Sequence, residues 1–236
     1  MKVYTRAGDD GTTGLFLGGR VSKADPLMTA CGDLDEAVAV LGVARAVLSR
    51  IREHEEPDEP DEPGAHGAHG ARNAGPRTRQ EPAPGPDGSG EVPHASDRAI
   101  PATSPAELAD AVLRRQRELF VVAADLAANP AHRDRLVPGV SLVTEEMAGD
   151  VEREIDELVA RHPLRPVFVV PGTSLASATL DQARAVLRRA ERSVVALAQS
   201  GHPVGPALLR YVNRLSDLVF VLARAAAGEN EPSSHQ

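Results

Sequence analysis

The longest regular pattern of the chain covers residues 174–200 and reads SLASATLDQARAVLRRAERSVVALAQS. Its apolar residues recur at spacings of three and four, which is the periodicity of one face of an α-helix. These residues include Val186, Leu187, Ala190, Val194 and Leu197. The following Gly201 ends the pattern, because glycine is common just beyond the end of a helix. The stretch therefore predicts one long helix packed against a core.

Four further segments show the same spacing of apolar residues. They cover residues 26–52, 105–128, 144–161 and 206–227. Ser104 is a suitable N-cap in front of the second of them. Only 3% of the residues are aromatic, so Ala, Val and Leu must fill the core, which suits closely packed helices. We predict an all-α fold, a five-helix up-and-down bundle of the ferritin-like type, with the strand-like run 167–170 as a loop packed on it.

A different composition separates the first two predicted helices. Residues 53–105 contain ten of the nineteen prolines, and their eleven acidic residues against four arginines account for −7 of the formal charge of −8. Such a segment has too little apolar surface to offset the entropy lost on ordering. We therefore predict a single domain over residues 1–236, with a disordered insertion at 53–104 and a flexible tail at 229–236.

The remaining composition excludes several classes of protein. The single cysteine, Cys31, excludes an internal disulfide framework and a cysteine-cluster metal site. No apolar run reaches the ~20 residues that span a bilayer, and the first residues lack the apolar stretch of a secretory signal. We expect a cytoplasmic protein with neither a membrane nor a nucleic acid as its partner.

The first candidate site is the glycine-rich stretch at residues 5–14, TRAGDDGTTG. Its glycines allow the backbone to turn N–H groups toward an anion, and its threonine hydroxyls are further donors. Arg6 and the nearby Lys23 add positive charge. This chemistry suits a polyphosphate, although the spacing is not that of a P-loop. A flexible N-terminal tail explains the composition equally well.

Three polar clusters on the predicted helices are further candidates. Arg184, Arg188 and Arg192 are four residues apart and share a helix face, so an anion, a carboxylate or plain solvent must separate their charges. Residues 211–217, YVNRLSD, mix polar and apolar side chains, which fits a buried site or interface as well as an exposed face. Residues 33–36, DLDE, are acidic near the start of a helix, where acidic residues are ordinary.

Taken together, these segments resemble one family, the PduO-type ATP:cob(I)alamin adenosyltransferases. Six motifs carry the resemblance, in the family's order, and they extend it over nearly all of residues 1–52 and 105–227. In this sequence they read TRAGDDGTTGL from Thr5, SKADP from Ser22, GDLDE from Gly32, FVVPG from Phe168, RAVLRRAER from Arg184 and NRLSD from Asn213. Cys31 and Thr173 depart from the family pattern, which often has Tyr and Gly there, and we expect altered packing rather than lost activity.

The resemblance implies a homotrimer that binds ATP between neighbouring subunits. The N-terminal loop of one subunit would close over the triphosphate, and the last two helices of the neighbour would supply the opposite wall. The ATP-binding residues implied in this way are Thr5, Arg6, Ala7, Gly8, Thr13, Lys23, Arg188, Arg189, Glu191, Arg192 and Asn213. The resemblance also implies that Asp35 pairs with Arg184, which leaves Arg188 and Arg192 for phosphates.

The implied reaction transfers the 5′-deoxyadenosyl group of ATP to cob(I)alamin, with Mg²⁺ accompanying the ATP. Co(I) is itself the nucleophile, so the protein aligns the substrates and stabilises the leaving triphosphate. Phe168 matches the family phenylalanine that binds cobalamin and favours four-coordinate cob(II)alamin, with core packing as the alternative for this side chain. The catalytic residues implied in this way are Asp35, Phe168, Arg184 and Arg188.

Two further consequences of the resemblance concern partners and alternatives. A reductase and an adenosylcobalamin-dependent enzyme are the protein partners that such chemistry implies. The main alternative is a helical carrier or sensor that binds ATP or a corrinoid without turnover. A purely structural bundle is the remaining reading, and it leaves the N-terminal loop unexplained.

Overall fold

Five α-helices dominate the structure, a computed structural model that describes residues 4–55, 103–228 and 231–235. Their bounds are α1 Pro26–Glu55, α2 Pro105–Leu126, α3 Glu145–Arg161, α4 Leu175–Gln199 and α5 Pro206–Ala227. Within these ranges no helix is both long enough and apolar enough to cross a membrane. The predicted all-α bundle is confirmed. Of the predicted insertion, residues 56–102 lie outside the described part of the chain, and α1 continues through Glu55 where we expected the insertion to have begun.

The helix ends follow from local hydrogen bonding. Ser104 caps α2 as predicted, because its hydroxyl accepts a bond from the Glu107 N–H at 3.2 Å while the Glu107 carboxylate accepts one from the Ser104 N–H at 2.8 Å. This reciprocal pair is a capping box. Thr144 and Ser174 cap α3 and α4 through their hydroxyl groups. Caps of this kind are readable from sequence, and every predicted helix end lies within three residues of the observed one.

The helices pack side by side in the order α2, α1, α4, α5 and α3. Helix α1 packs between α2 and α4, and α5 packs between α4 and α3. Arg161 of α3 lies 3.6 Å from Glu107 of α2, and Arg115 of α2 donates to Glu154 of α3 at 2.5 Å. Because the end of α3 meets the start of α2 in these pairs, the two helices are antiparallel and linked by ion pairs. This is the predicted up-and-down arrangement.

The core is aliphatic, as the low aromatic content predicts. Among the largest fully buried side chains in the described residues, Tyr211 is accompanied only by leucines. The Tyr211 hydroxyl donates to Glu118 at 2.6 Å, and the buried Arg115 guanidinium bonds to both Glu118 and Glu154. Burial, followed by the Glu118 carboxylate, raises the pKa of Tyr211 well above its ordinary value, so this hydroxyl remains a donor.

Two small elements were not predicted. An antiparallel hairpin, β1 (Thr12–Gly14) and β2 (Arg20–Ser22), precedes α1, and a 3₁₀ helix at Pro130–Arg135 follows α2. Phe16, between the two strands, donates its N–H to the Ala127 carbonyl at 3.0 Å and so holds the hairpin against the end of α2. Strands of three residues are too short to show alternation in the sequence.

The C-terminal residues differ from the flexible tail that we predicted. Val169 and Ser233 form an antiparallel bridge, so the strand-like run 167–170 pairs with the tail. Glu231 in that tail is only 6% exposed. Pairing between segments so far apart in the chain leaves no local sequence signal.

The helix packing makes a direct prediction about stability. Leu187 of α4 is fully buried, so Leu187→Ala should lower the free energy of unfolding by about 3 kcal/mol through lost burial and a residual cavity. Leu175 lies on the same helix but is 68% exposed, and Leu175→Ala should cost far less. Urea unfolding at one fixed protein concentration compares the two. Equal losses would contradict the packing of α4 described here.

Candidate functional site

The N-terminal glycine-rich stretch is folded into a compact loop. Lys23 donates from Nζ to the Gly8 carbonyl at 2.8 Å, which closes the loop against the end of the hairpin. Arg20 donates from Nε to the Thr12 hydroxyl at 2.9 Å and also bonds to the Ala7 carbonyl. The alternative of an unstructured N-terminal tail is therefore wrong for residues 5–23.

Gly8 lies where the close packing of the loop leaves little room for a side chain. A Cβ there would lie 3.0 Å from the Thr12 carbonyl oxygen and 3.1 Å from Lys23 Nζ. Gly11 has a φ of 79°, in the left-handed region that glycine adopts without strain. Both glycines therefore contribute to the shape of the loop. Gly8 does so by lacking a side chain, and Gly11 does so by its left-handed backbone conformation.

The loop presents several donors to solvent, together with the exposed carboxylate of Asp9. The side chains of Thr5, Arg6 and Lys23 are exposed, and Thr13 is half-buried. Asp10 is already engaged, because its carboxylate accepts bonds from the N–H and the hydroxyl of Thr12 at 2.9 and 2.8 Å. The bond from the Thr12 N–H is the main reason that the pKa of Asp10 is lowered. The chemistry of the loop suits an anion.

A second surface lies on α4, where a shallow groove of about 270 Å³ follows the helix. Arg188, Glu191 and Arg192 line its charged half, and Val195, Ala196 and Gln199 line the rest. The Arg188 and Arg192 side chains are exposed. Asn213 of α5 donates to Glu191 at 2.8 Å and fixes the carboxylate in place. The structure thus brings together four of the predicted ATP-binding residues.

Arg189 is placed differently from the prediction. It points to α1, where Nε donates to Asp33 at 3.0 Å and Nη2 contacts Glu36. Ser193 donates to the other oxygen of Asp33 at 2.5 Å. Within the chain, Arg189 therefore links α4 to α1, and its guanidinium contacts two carboxylates.

The same contacts correct our reading of residues 33–36. Helix α1 begins at Pro26, and its first turn contains no acidic residue, so Asp33 and Glu36 are not partners of the helix N-terminus. Their spacing of three residues places both on one face of α1, toward Arg189. The sequence shows this spacing, but it does not show which helix packs against that face of α1.

The predicted pair of Asp35 and Arg184 does not form within the described residues of one chain. Asp35 is exposed. Arg184 is half-buried and stacks on Phe220, with the guanidinium carbon 5.2 Å from the ring centroid. Its Nε is buried and has no hydrogen-bond partner among the described residues. Arg184 therefore does not share the solvated environment of Arg188 and Arg192, although all three follow the i, i+4 spacing.

Phe168 lies on the surface, with 81% of the residue exposed, so it does not pack in the core. Its neighbours Val167 and Val169 line a cavity of about 460 Å³ between the 162–170 segment and the end of α5. Val167 and Val170 are also exposed beside Phe168, and a group of exposed apolar side chains is typical of ligand and protein contact surfaces.

The loop and the groove are not joined by polar contacts in the described part of the single chain. No hydrogen bond or ion pair within the described residues joins residues 5–23 to Arg188, Glu191 or Arg192. Both nevertheless lie toward one end of the bundle, since His202, just beyond α4, bonds to the Leu126 carbonyl beside the hairpin. In the described ranges, no three His, Cys, Asp or Glu side chains converge as a metal site.

These features define a class of protein, a helical bundle with a glycine-shaped anion loop and a basic groove on one helix. The family model for cobalamin adenosyltransferases matches residues 3–60 and 95–226. The chain therefore belongs to the cobalamin adenosyltransferase family.

Individual relatives agree with this assignment. The chain is 32% identical to the corrinoid adenosyltransferase of Mycobacterium bovis, over 95% of this chain and 88% of that protein. It is 31% identical to one from Citrobacter freundii, over 94% and 93% of the two chains. The fold is similar, with a TM-score of 0.68 at 22% identity over the full length of both chains, to a phenylalanine-to-alanine variant of the PduO-type ATP:corrinoid adenosyltransferase from Lactobacillus reuteri complexed with cobalamin and ATP.

The surroundings of Cys31 provide a local test of where Asp35 lies. Burial, and second the Asp35 carboxylate, raise the pKa of the Cys31 thiol to about 11. Asp35→Asn should lower this pKa, because a neutral amide no longer opposes the thiolate, while burial keeps it above its ordinary value. The pH dependence of alkylation by iodoacetamide measures the change.

The matched control is Asp156→Asn on α3, which removes the same charge from an exposed position. Asp156→Asn should leave the pH dependence of Cys31 alkylation unchanged. An equal shift in both variants would mean that net charge, rather than proximity of Asp35, sets the pKa of this thiol.

Proposed function

We propose that this chain transfers the 5′-deoxyadenosyl group of ATP to cob(I)alamin, producing adenosylcobalamin and inorganic triphosphate. The observation that carries the proposal is the groove on α4, where Arg188 and Arg192 flank a Glu191 held by Asn213. Membership of the family supplies the chemistry, and the groove supplies the charge that this chemistry needs.

The reaction requires little covalent chemistry from the protein. The electron pair of Co(I) forms a bond to C5′ of ATP, the bond from C5′ to the triphosphate oxygen breaks, and the triphosphate leaves with that electron pair. Cobalt is oxidised from Co(I) to Co(III) in the product. The protein contributes alignment and stabilisation of the departing negative charge. The exposed guanidinium groups of Arg188 and Arg192 suit that second task.

We propose that the other half of the ATP site comes from the N-terminal loop of a neighbouring subunit in a homotrimer. The loop carries Thr5, Arg6, Ala7, Gly8, Thr13 and Lys23. The side chains of Thr5, Arg6 and Lys23 are exposed, and the groove on α4 of the same chain is open. An ATP molecule held by the loop of one subunit and the groove of the next would neutralise both.

Mg²⁺ fits this arrangement as a companion of ATP. The donors on the loop are ammonium, guanidinium and hydroxyl groups, which suit phosphate oxygens, and the carboxylate of Asp10 is engaged by Thr12. Mg²⁺ keeps few protein ligands when it accompanies phosphates. It would neutralise part of the triphosphate charge, while the arginines and Lys23 hold the remaining oxygens.

Phe168 is proposed to face the corrinoid. Its exposed ring provides an apolar wall against which the lower ligand of cob(II)alamin cannot stay bound. The ligand nitrogen leaves with its own electron pair, so cobalt remains Co(II) and becomes four-coordinate. The electron that follows would come from a reductase. The reductase, the enzyme that receives adenosylcobalamin and the cytoplasmic location remain predictions.

The proposed function predicts a strong effect of Arg188→Ala. Incubation of the protein with ATP, Mg²⁺ and chemically reduced cob(I)alamin should give adenosylcobalamin, followed by its visible spectrum together with triphosphate release. Arg188→Ala should lower kcat by roughly a hundredfold or more, since it removes charge from the leaving triphosphate. Circular dichroism should be unchanged, because the side chain is exposed.

Arg117→Ala on α2 is the matched control, since this arginine is also exposed and lies outside the groove. It should keep its activity. Near-normal kcat in Arg188→Ala would contradict the assigned role. A wild-type protein that binds ATP in calorimetry yet forms no product would favour the carrier or sensor alternative.

The homotrimer predicts that Asp35 pairs with Arg184 of a neighbouring subunit. Each single reversal, Asp35→Arg or Arg184→Asp, should weaken assembly by about 2 kcal/mol or more, roughly thirtyfold in the dissociation constant. The double variant should recover much of that loss, because the charges are exchanged but remain opposite. Sedimentation velocity over a range of protein concentrations measures the dissociation constant of each variant. Losses that simply add in the double variant would refute the pair.

A further inference from the structure

We propose that residues 231–234 form a strap that positions Phe168 for its action on the corrinoid, and this inference rests on the proposed function. The strap is defined as the four residues Glu231, Pro232, Ser233 and Ser234. None of its side chains needs to reach the substrate. Its contribution is to hold the backbone of the 167–170 segment in one conformation.

Two backbone hydrogen bonds attach the strap directly around Phe168. The Ser234 N–H donates to the Phe168 carbonyl at 2.8 Å, and the Val170 N–H donates to the Pro232 carbonyl at 2.9 Å. Val169 and Ser233 form the antiparallel bridge between these bonds. The segment that carries Phe168 is thereby extended and paired, although it belongs to no larger sheet.

Extended pairing fixes which way the side chains face. Successive side chains of a strand alternate between its two faces. Val167 and Val169 line the cavity near the end of α5, and Phe168 is 81% exposed between them. An exposed ring of this kind has little side-chain packing to fix its direction, so the backbone that carries it must do so.

The strap itself is anchored by a buried carboxylate. Glu231 is 6% exposed, its Oε1 lies 3.3 Å from Nη2 of Arg224, and its backbone carbonyl accepts a bond from Arg165 at 2.6 Å. The same Arg224 pairs with Asp181 of α4 at 2.5 Å and stacks on Phe220 at 5.1 Å. The anchor therefore connects the strap to both α4 and α5.

The anchor combines a charge contact with a backbone hydrogen bond, and burial opposes the charge contact. Burial raises the pKa of Glu231, Arg224 lowers it, and Asp181 adds to the rise. Two carboxylates thus share one nearly buried guanidinium. Removing the Glu231 side chain leaves Arg224 with Asp181 alone, and the Arg165 bond to the backbone carbonyl then holds the start of the strap.

The experiment compares two strap variants with a matched control in the full-length protein. Ser234→Pro removes the N–H that bonds to Phe168, and Glu231→Ala removes the side-chain contact of the anchor with Arg224. Ser233→Ala is the control, since it removes only a hydroxyl that bonds to the nearby His235 carbonyl. Phe168→Ala is the reference for complete loss of the ring.

Three quantities are measured for each protein. They are the affinity for ATP by calorimetry, the four-coordinate cob(II)alamin signal by electron paramagnetic resonance with ATP present, and the hydrogen-exchange rate of the Val170 amide. Both strap variants should exchange Val170 faster and lose about tenfold of the four-coordinate signal, since small misplacements away from the chemistry carry large costs. Their ATP affinity should stay within about twofold of wild type, and Ser233→Ala should match wild type throughout.

The outcomes separate the strap from the proposed function. Faster exchange at Val170 with an undiminished four-coordinate signal would make the strap merely structural and overturn the inference. Unchanged exchange in both strap variants would overturn it as well, because the pairing would not depend on these residues. A wild-type protein that forms no four-coordinate species would overturn the proposed function and the positioning role with it.

Discussion

The rest of the structure depends on two opposing demands on helix α4. This helix must bury an aliphatic face between α1 and α5 while it carries four arginines among its apolar residues. The helix resolves this by giving each arginine a different environment. Arg189 is turned to carboxylates on α1, Arg184 lies on the Phe220 ring, and only Arg188 and Arg192 remain exposed in the groove.

The two ends of the proposed reaction are supported by unlike parts of the fold. The ATP side would rely on a loop whose shape comes from Gly8, Gly11 and the bond from Lys23, all close together in sequence. The corrinoid side would rely on Phe168, whose backbone is held by residues more than sixty positions away. The local sequence thus determines the shape of the loop, whereas tertiary contacts determine the position of Phe168.

This difference explains what the sequence could and could not predict. Apolar spacing and caps such as Ser104 are local, so the five helices and their order were predictable. The hairpin has strands too short to leave a pattern, and the fate of Arg189 depends on how α1 and α4 align, which no local signal records. The pairing of the tail with residues 168–170 is equally long-range.

The proposed division of the active site between two subunits has a genetic consequence. If each active site takes its loop from one subunit and its groove from the next, a subunit damaged in the loop and another damaged in the groove carry complementary defects. In a mixed assembly, some sites would then receive two intact halves. Two inactive alleles, one with a damaged loop and one with a damaged groove, could therefore restore function together. An allele that carries both defects would not restore function with either of them.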